Sequence, residues 1–287
     1  MDYIIIAGPT ACGKSQLALD IADRLGGEII NADSMQLYQD LSILTARPHT
    51  HPIPHHLYGI LSHQDQGSAA SWLEHVCSLI KDCLHRNRMP IVVGGTGFYL
   101  RALTNGLSPF PPIDPIIRQQ VRDLSRVLGD DFFSYVYSVD PLIQDKIKPS
   151  DPQRLCRALE VILDTGQSIV NWQGLAVPPL PQYSHKYYVI DLDREDLYDR
   201  INRRFQMMID LGAIEEIENL RCLNPSKDSL IMKAIGVAEI SAYLDGDLSL
   251  GDAIEKAQQK SRQYAKRQRT WFHHKVTEKI MLQSGDI

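Results

Sequence analysis

The chain has 287 residues, 44% of them apolar and 23% charged, with a net charge of −5. This is an ordinary globular mix, long enough to bury a sizeable core, and it excludes a disordered or fibrous chain. Five scattered cysteines with no C-x-x-C pair exclude a disulfide framework and a zinc site of the usual spacing, and they point to a reducing compartment.

The first element in chain order is a short buried strand, Tyr3–Ala7. It lacks the basic flank of a signal peptide, and no run approaches 18 apolar residues, so a cytoplasmic protein with no membrane span is expected. A glycine-rich turn leads into a helix over 14–25, and 28–32 reads as a second strand ending at Asp33. Residues 47–63 are rich in Pro and His and read as loop. A helix over 72–88 precedes another buried strand, 90–95. Strand–helix alternation with continuous apolar runs implies an α/β core built on a parallel sheet.

The pattern changes at Pro109, Pro111, Pro112 and Pro115. From 113 to about 170 the signals are helical, and Pro178-Pro179-Leu180-Pro181 forms a second break before a strand over 186–191. Helices follow to the end. The expected domains are a first part of the core over 1–112, a helical insertion over 113–182, and a second part of the core over 183–287. Between Glu255 and Lys279 the net charge is +6, which leaves −11 on the remainder. Such asymmetry fits either a surface for an anionic partner or a solvated helix face.

Gly8-Pro9-Thr10-Ala11-Cys12-Gly13-Lys14-Ser15 has the spacing G-x-x-x-x-G-K-[ST] between a strand and a helix, which makes it a phosphate loop rather than a chance turn. Glycines let backbone N–H groups wrap an anion, the helix N-terminus adds partial positive charge and Lys14 a full one, and the Ser15 hydroxyl can ligate Mg2+. Such a loop names a bound group, not a reaction. Nucleotide hydrolases usually place an acid at the end of a second buried strand, whereas here that strand ends in Gly94-Gly95-Thr96-Gly97.

In an open parallel sheet the carboxyl ends of the strands converge on the ligand crevice. Asp33 is therefore a candidate general base or an outer ligand of Mg2+ through water, with a helix N-cap as the alternative. Thr96 is a candidate donor to a phosphate or bridging oxygen, against a plain glycine-rich turn. His49, His51, His55, His56 and His63 lack a helical zinc spacing and read as loop histidines.

Beyond the phosphate loop, Asp33-Ser34-Met35-Gln36-Leu37-Tyr38, Thr45-Ala46-Arg47-Pro48, His55-His56-Leu57, Gly94-Gly95-Thr96-Gly97-Phe98-Tyr99, Asp151-Pro152-Gln153-Arg154-Leu155-Cys156-Arg157-Ala158-Leu159-Glu160 and Ala265-Lys266-Arg267-Gln268-Arg269-Thr270-Trp271 follow in order. Together they resemble the tRNA dimethylallyltransferases (tRNA isopentenyltransferases) over nearly the whole chain. The resemblance implies a P-loop NTPase-like core with a helical insertion, and transfer of a dimethylallyl group from dimethylallyl diphosphate to N6 of the adenine just 3′ of the anticodon, with Mg2+. It implies that the phosphate loop holds the diphosphate and that Asp33, Thr96 and Arg204 are catalytic. Arg204 is the second arginine of the family pattern R-I-x-x-R-F, here Arg200-Ile201-Asn202-Arg203-Arg204-Phe205; a surface charge is the alternative.

The same resemblance assigns tRNA contacts to Asp33, Ser34, Met35, Gln36, Thr96, Arg118, Gln153, Arg154, Leu155, Cys156, Arg157, Lys233 and Gly236, with the insertion closing over the anticodon stem. Arg262, Lys266 and Arg269, at i, i+4 and i+7, then become candidates for phosphate contact. The chain departs from the family's K-A-I-G-Y-[KR]-[EQ] at Val237 and Ala238, and it carries no C-terminal zinc finger, so it is similar to the short bacterial type. A monomer is expected.

Overall fold

Tyr3–Ala7 forms β1, every residue of it buried. The computed structural model describes residues 1–48 and 51–283, so His49 and the last four residues lie outside the described part. Along β1 the side chains alternate between two apolar clusters. Tyr3, Ile5 and Ala7 enter one, while Ile4 and Ile6 enter the other. A strand buried on both faces reads as an unbroken apolar run, which is why the sequence announced it.

The phosphate loop feeds α1 (Lys14–Leu25), which ends on Gly26 in the left-handed region (φ 61°) with its N–H on the Ala22 carbonyl. Then come β2 (Gly27–Asn31) and β3 (His55–His56), the latter a two-residue strand inside the expected loop. The helix α2 spans Ala69–His85, starting earlier than the sequence suggested because the Ser68 hydroxyl caps it by accepting from Ser71 N–H. Next are β4 (Met89–Gly94) and α3 (Gly97–Asn105).

Next come α4 (Pro115–Leu128), α5 (Phe132–Val139), α6 (Pro152–Thr165) and the five-residue α7 (Ile169–Gln173). Both α4 and α6 start on an Asp cap followed by Pro at the first helical position, where the missing N–H costs nothing. After β5 (His185–Ile190) the chain is helical again through α8 (Arg194–Asp210), α9 (Ala213–Cys222), α10 (Val237–Leu244) and α11 (Leu250–Lys275), and it closes with β6 (Ile280–Leu282).

The chain divides into two compact units, 1–104 with 180–287, and 105–179. The helical insertion thus starts before the expected residue 113 and ends at 179. It has its own apolar core around Val121, Phe132, Val136, Ile143 and Leu159.

In the larger unit the six strands are parallel, in the order β3-β2-β4-β1-β5-β6. The central trio β2-β4-β1 sets the carboxyl ends of three strands side by side: Asn31, Gly94 and Ala7. A third apolar cluster, formed by Tyr38, Leu41, Leu44, Phe205, Met208 and residues of α9 and α10, extends the unit beyond the sheet. The 26-residue α11, about 39 Å long at 1.5 Å per residue, places Ala257, Ala265 and Phe272 in three different apolar clusters. Among the described residues no helix is long and apolar enough to cross a membrane.

Candidate active site

The three loops leaving β1, β2 and β4 carry the phosphate loop, Asp33 and Thr96, and each is shaped by local backbone requirements. In the phosphate loop Gly13 (φ 94°) and Ala11 (φ 64°) take left-handed conformations. An L-residue held there is strained, a feature that concentrates at ligand sites, and the conformation turns successive N–H groups to one side. At Gly8 a Cβ would come within 2.7 Å of the Cys12 sulfur, so only glycine lets the loop close. Lys14 Nζ donates to the Pro9 carbonyl at 3.3 Å and forms no salt bridge with any described residue. Ser15 is exposed in the first turn of α1.

Asp33 leaves β2 through a network centred on buried Asn31. Asn31 Oδ1 accepts from Asp33 N–H (2.8 Å), and its amide donates to the Asp33 carbonyl (3.0 Å) and the Leu57 carbonyl (2.9 Å). Asp33 Oδ1 accepts from Met35 N–H at 3.0 Å. That is an Asx turn; no helix follows, so the N-cap alternative is set aside. The other carboxylate oxygen has no hydrogen-bond partner among the described residues.

Thr96 lies opposite. Its Oγ1 accepts from Ser34 N–H at 3.0 Å and donates to Ser34 Oγ at 3.3 Å, while its own N–H donates to the Ala32 carbonyl (3.2 Å). The glycine-rich turn is therefore bonded directly to the segment that carries Asp33.

A cavity of about 340 Å³ opens beside these loops. It is lined by Thr10, Ala11, Asp33, Ser34 and Met35, by Leu44 and Thr45, by Ile201, Arg204, Phe205 and Met208 of α8, by Lys233, Ala234 and Ile235, and by Ser261, Tyr264 and Arg267 of α11. Arg204 forms no hydrogen bond with any described residue. Burial pulls its pKa below the usual arginine value, and the Asp33 charge opposes that shift. A guanidinium remains charged under such a shift, so Arg204 is an uncommitted cation beside a phosphate loop. Burial also pushes the Tyr264 hydroxyl up, reinforced by the charge of Asp33, so it stays a neutral phenol.

The other expected positions divide. Ser34, Met35 and Lys233 line the cavity. Gln36 turns away and donates to the Thr45 (2.9 Å) and Ala46 (3.2 Å) carbonyls, fixing the next loop. Gly236 (φ 101°) begins α10, and a Cβ there would meet Leu44 at 2.8 Å.

Within the helical unit Arg118 lies on α4 and residues 153–157 on α6. Leu155 is buried in that unit's core and cannot present its side chain; Cys156 is half-buried. Arg154 pairs with Asp151 at 3.3 Å. Arg157 pairs with Glu160 at 2.9 Å and stands 4.6 Å over the Phe110 ring. At the departure from the family pattern, Val237 is buried and Ala238 exposed. The adjacent Glu239 accepts from Gly236 N–H (2.9 Å) and pairs with Lys260.

The residues of the basic face expected on α11 differ in their surroundings. Arg262 donates to Asn202 Oδ1 at 2.6 Å and Arg269 to Asp191 at 2.7 Å, so both are held by the chain itself; Lys266 remains exposed. Ser261, Tyr264 and Arg267 of α11 line the cavity, while Gln268 and Trp271, with Tyr264 at i, i+4 and i+7, face the phosphate loop and the glycine-rich turn. Sequence reading passed over this inward face because charge drew attention to the other face.

Of the histidines, His56 Nε2 donates to Glu28 Oε2 at 2.7 Å, next to Cys83. Arg86 already grips both Glu28 oxygens at 2.5 and 2.9 Å and holds that carboxyl down to about 2. A guanidinium where a cation would sit makes this a structural ion pair rather than a metal site.

Residues 36–275 match the IPP transferase family model, and residues 1–56 match the isopentenyl transferase model. The tRNA dimethylallyltransferase of Allorhizobium ampelinum is 47% identical over 96% of this chain and 93% of its own. That of Mesorhizobium japonicum is 45% identical over 95% and 86%. The crystal structure of tRNA isopentenylpyrophosphate transferase from Bacillus halodurans aligns with a TM-score of 0.71 at 32% identity, covering 99% of this chain and 90% of that one. A eukaryotic dimethylallyltransferase captured acting on tRNA aligns with a TM-score of 0.79 at 28% identity, over 98% and 73%. With a family match over most of its length and relatives above 40% identity, the chain belongs to the tRNA dimethylallyltransferase family of prenyltransferases.

Proposed function

We propose that the protein transfers a dimethylallyl group from dimethylallyl diphosphate to N6 of the adenine adjacent, on the 3′ side, to the anticodon of tRNAs reading codons that begin with U. The C1–O bond of the donor breaks, a C1–N6 bond forms, diphosphate leaves, and one N6 proton passes to Asp33. The observation that carries this reading is the convergence of a phosphate loop, Asp33 and an uncommitted Arg204 on one cavity, with Thr96 bonded to Ser34 at its wall.

Each group has a task set by its surroundings. The residues of the phosphate loop, Gly8 to Ser15, hold the diphosphate, and Lys14 and Arg204 balance the charge that grows as it leaves. The Thr96 hydroxyl donates to the oxygen bridging carbon and phosphorus. The free oxygen of Asp33 accepts from N6 as it attacks. Mg2+ fits the hard-oxygen donors present, the exposed Ser15 hydroxyl and, through water, Asp33. When bound it supplies charge neutralisation on the diphosphate oxygens.

An adenine stacked in an anticodon loop cannot reach a recessed cavity, so it must be swung out of the stack. Ser34, Met35, Lys233 and the Gly236 turn then meet the extruded nucleotide. Arg118, Gln153, Arg154 and Arg157 of the helical unit supply contacts to the stem-loop, with Leu155 and Cys156 supporting α6.

A phosphate loop alone would equally suit a small-metabolite kinase. Incubation with labelled dimethylallyl diphosphate, Mg2+ and unmodified tRNA separates the two. Label on the tRNA is expected; phosphate transfer from ATP without prenyl transfer would favour the kinase.

A further inference from the structure

Two loops must keep a fixed spacing for this chemistry, and a single side chain from a distant element touches both. Gln268, on α11 and 4% exposed, accepts from Thr10 N–H through Oε1 at 2.9 Å and donates through Nε2 to the Gly95 carbonyl at 2.9 Å. Both ends of the amide are engaged, and each bond goes to the backbone of a different loop.

Planarity of the peptide unit gives these bonds their reach. The Thr10 N–H shares a peptide plane with the Pro9 carbonyl, which points the opposite way and accepts from Lys14 Nζ (3.3 Å) and Cys12 N–H (3.4 Å). Fixing the Thr10 N–H therefore aims the carbonyl that anchors the lysine. Likewise the Gly95 carbonyl shares a plane with the Thr96 N–H, which donates to Ala32 O next to Asp33. Fixing that carbonyl sets the backbone from which the Thr96 hydroxyl projects. Thr10 N–H is consumed by Gln268, so the anion is left with the later amides of the loop.

The neighbours are shaped around this amide. A Cβ on Gly95 would collide with Gln268 Nε2, and one on Gly97 with the Trp271 ring one turn further along the same face. Tyr264, one turn earlier on the same face, lines the cavity.

We propose that Gln268 is a positioning residue that locks the phosphate loop to the Gly95–Thr96 turn, so that the cation on the leaving diphosphate and the hydroxyl on the bridging oxygen act on one substrate at once. This rests on the roles given above to Lys14 and Thr96.

The test uses the full-length protein with Gln268→Met, which keeps length and removes both bonds, alone and combined with Thr96→Ala. Turnover, tRNA binding, inhibition by inorganic diphosphate and thermal midpoint are measured. The expected result for Gln268→Met is a fall in kcat of about 10- to 100-fold, the scale of a misplaced catalytic group, together with severalfold weaker inhibition by diphosphate and unchanged tRNA binding. In the Thr96→Ala background most of the kcat loss disappears, because two changes acting through one group are not additive. Should Gln268→Met fail to fold, Gly95→Ala displaces the same amide from the other side and is read by the same split. Fully additive losses, or unchanged kcat and diphosphate inhibition, would overturn the proposal. If Thr96→Ala alone leaves turnover intact, the role of Thr96 fails, while diphosphate inhibition still decides the hold of Gln268 on the phosphate loop.

Discussion

Ser34 N–H donates to the Thr96 hydroxyl oxygen at 3.0 Å, across the gap between the loop that follows β2 and the one that follows β4. The backbone donor occupies a lone pair and so steers the hydroxyl proton. Within the protein that proton goes to Ser34 Oγ at 3.3 Å, a long bond that a developing oxyanion can outcompete. Thr96→Ala should lower kcat by about 10²-fold with little change in tRNA binding, and Thr96→Ser should restore most of it. Single-turnover prenylation rates check both.

Asp33→Asn preserves the Asx turn, because an amide oxygen still accepts from Met35 N–H at the position Asp33 Oδ1 now takes. The loop should therefore keep its shape while losing the proton acceptor. Turnover should collapse and tRNA affinity, measured by filter binding, should stay within about threefold, less than the 1.4 kcal/mol that a tenfold change represents. Parallel loss of both would make Asp33 a binding residue.

The cavity depends on a carboxylate outside it. Glu216 accepts from Ser42 N–H (2.6 Å), Ser42 Oγ (3.0 Å), Ile43 N–H (2.7 Å) and Leu44 N–H (2.9 Å), pinning the loop that delivers Leu44 and Thr45 to the cavity wall. Glu216→Ala should destabilise by about 1–3 kcal/mol, as expected when charge-assisted bonds are lost, and should raise the KM for tRNA more than it lowers kcat. Chemical denaturation and initial rates read the two effects.

Gly236→Ala is expected to impair activity through a side chain it never replaces. At φ 101° alanine is strained, and its Cβ would press on Leu44 at 2.8 Å, driving that residue toward the cavity. Reduced kcat/KM with the far-UV spectrum intact is the expected outcome; wild-type rates would contradict it.

Glu28 gives the fold a defined acid limb. Its hydrogen bonds with Arg86 hold the carboxyl at about 2, below the usual 4.5. A depressed carboxyl contributes stability that is fully present above the unfolded value and is lost as pH falls through the folded one. Thermal midpoints should therefore drop between about pH 5 and pH 2, and Glu28→Gln should flatten that dependence while lowering stability at neutral pH.

The parts of this protein legible in its sequence are those whose signal is local. Tyr3–Ala7 and the helix over 14–25 were read to the residue, because an unbroken apolar run and a glycine-spaced loop admit few alternatives. Asp33 and Thr96 followed from strand ends. Two strands were missed: β3 has two residues and β6 three, too short for any period, and both exist through pairing with Ile29–Ile30 and Tyr188–Ile190. The inward face of α11 was not singled out, for a different reason. Arg262, Lys266 and Arg269 share the spacing of Tyr264, Gln268 and Trp271, and only packing against the sheet decides which set turns inward.

The central claim is a prenyl transfer to one nucleotide, and nucleoside mass analysis tests it most directly. An anticodon stem-loop with adenine 3′ of the anticodon is incubated with the protein, dimethylallyl diphosphate and Mg2+, then digested. The account predicts N6-dimethylallyl adenosine at that position, absent when that adenine is replaced by guanine and strongly reduced with Asp33→Asn. Unmodified adenosine with the folded wild-type protein, or prenylation that persists after the replacement, would contradict it.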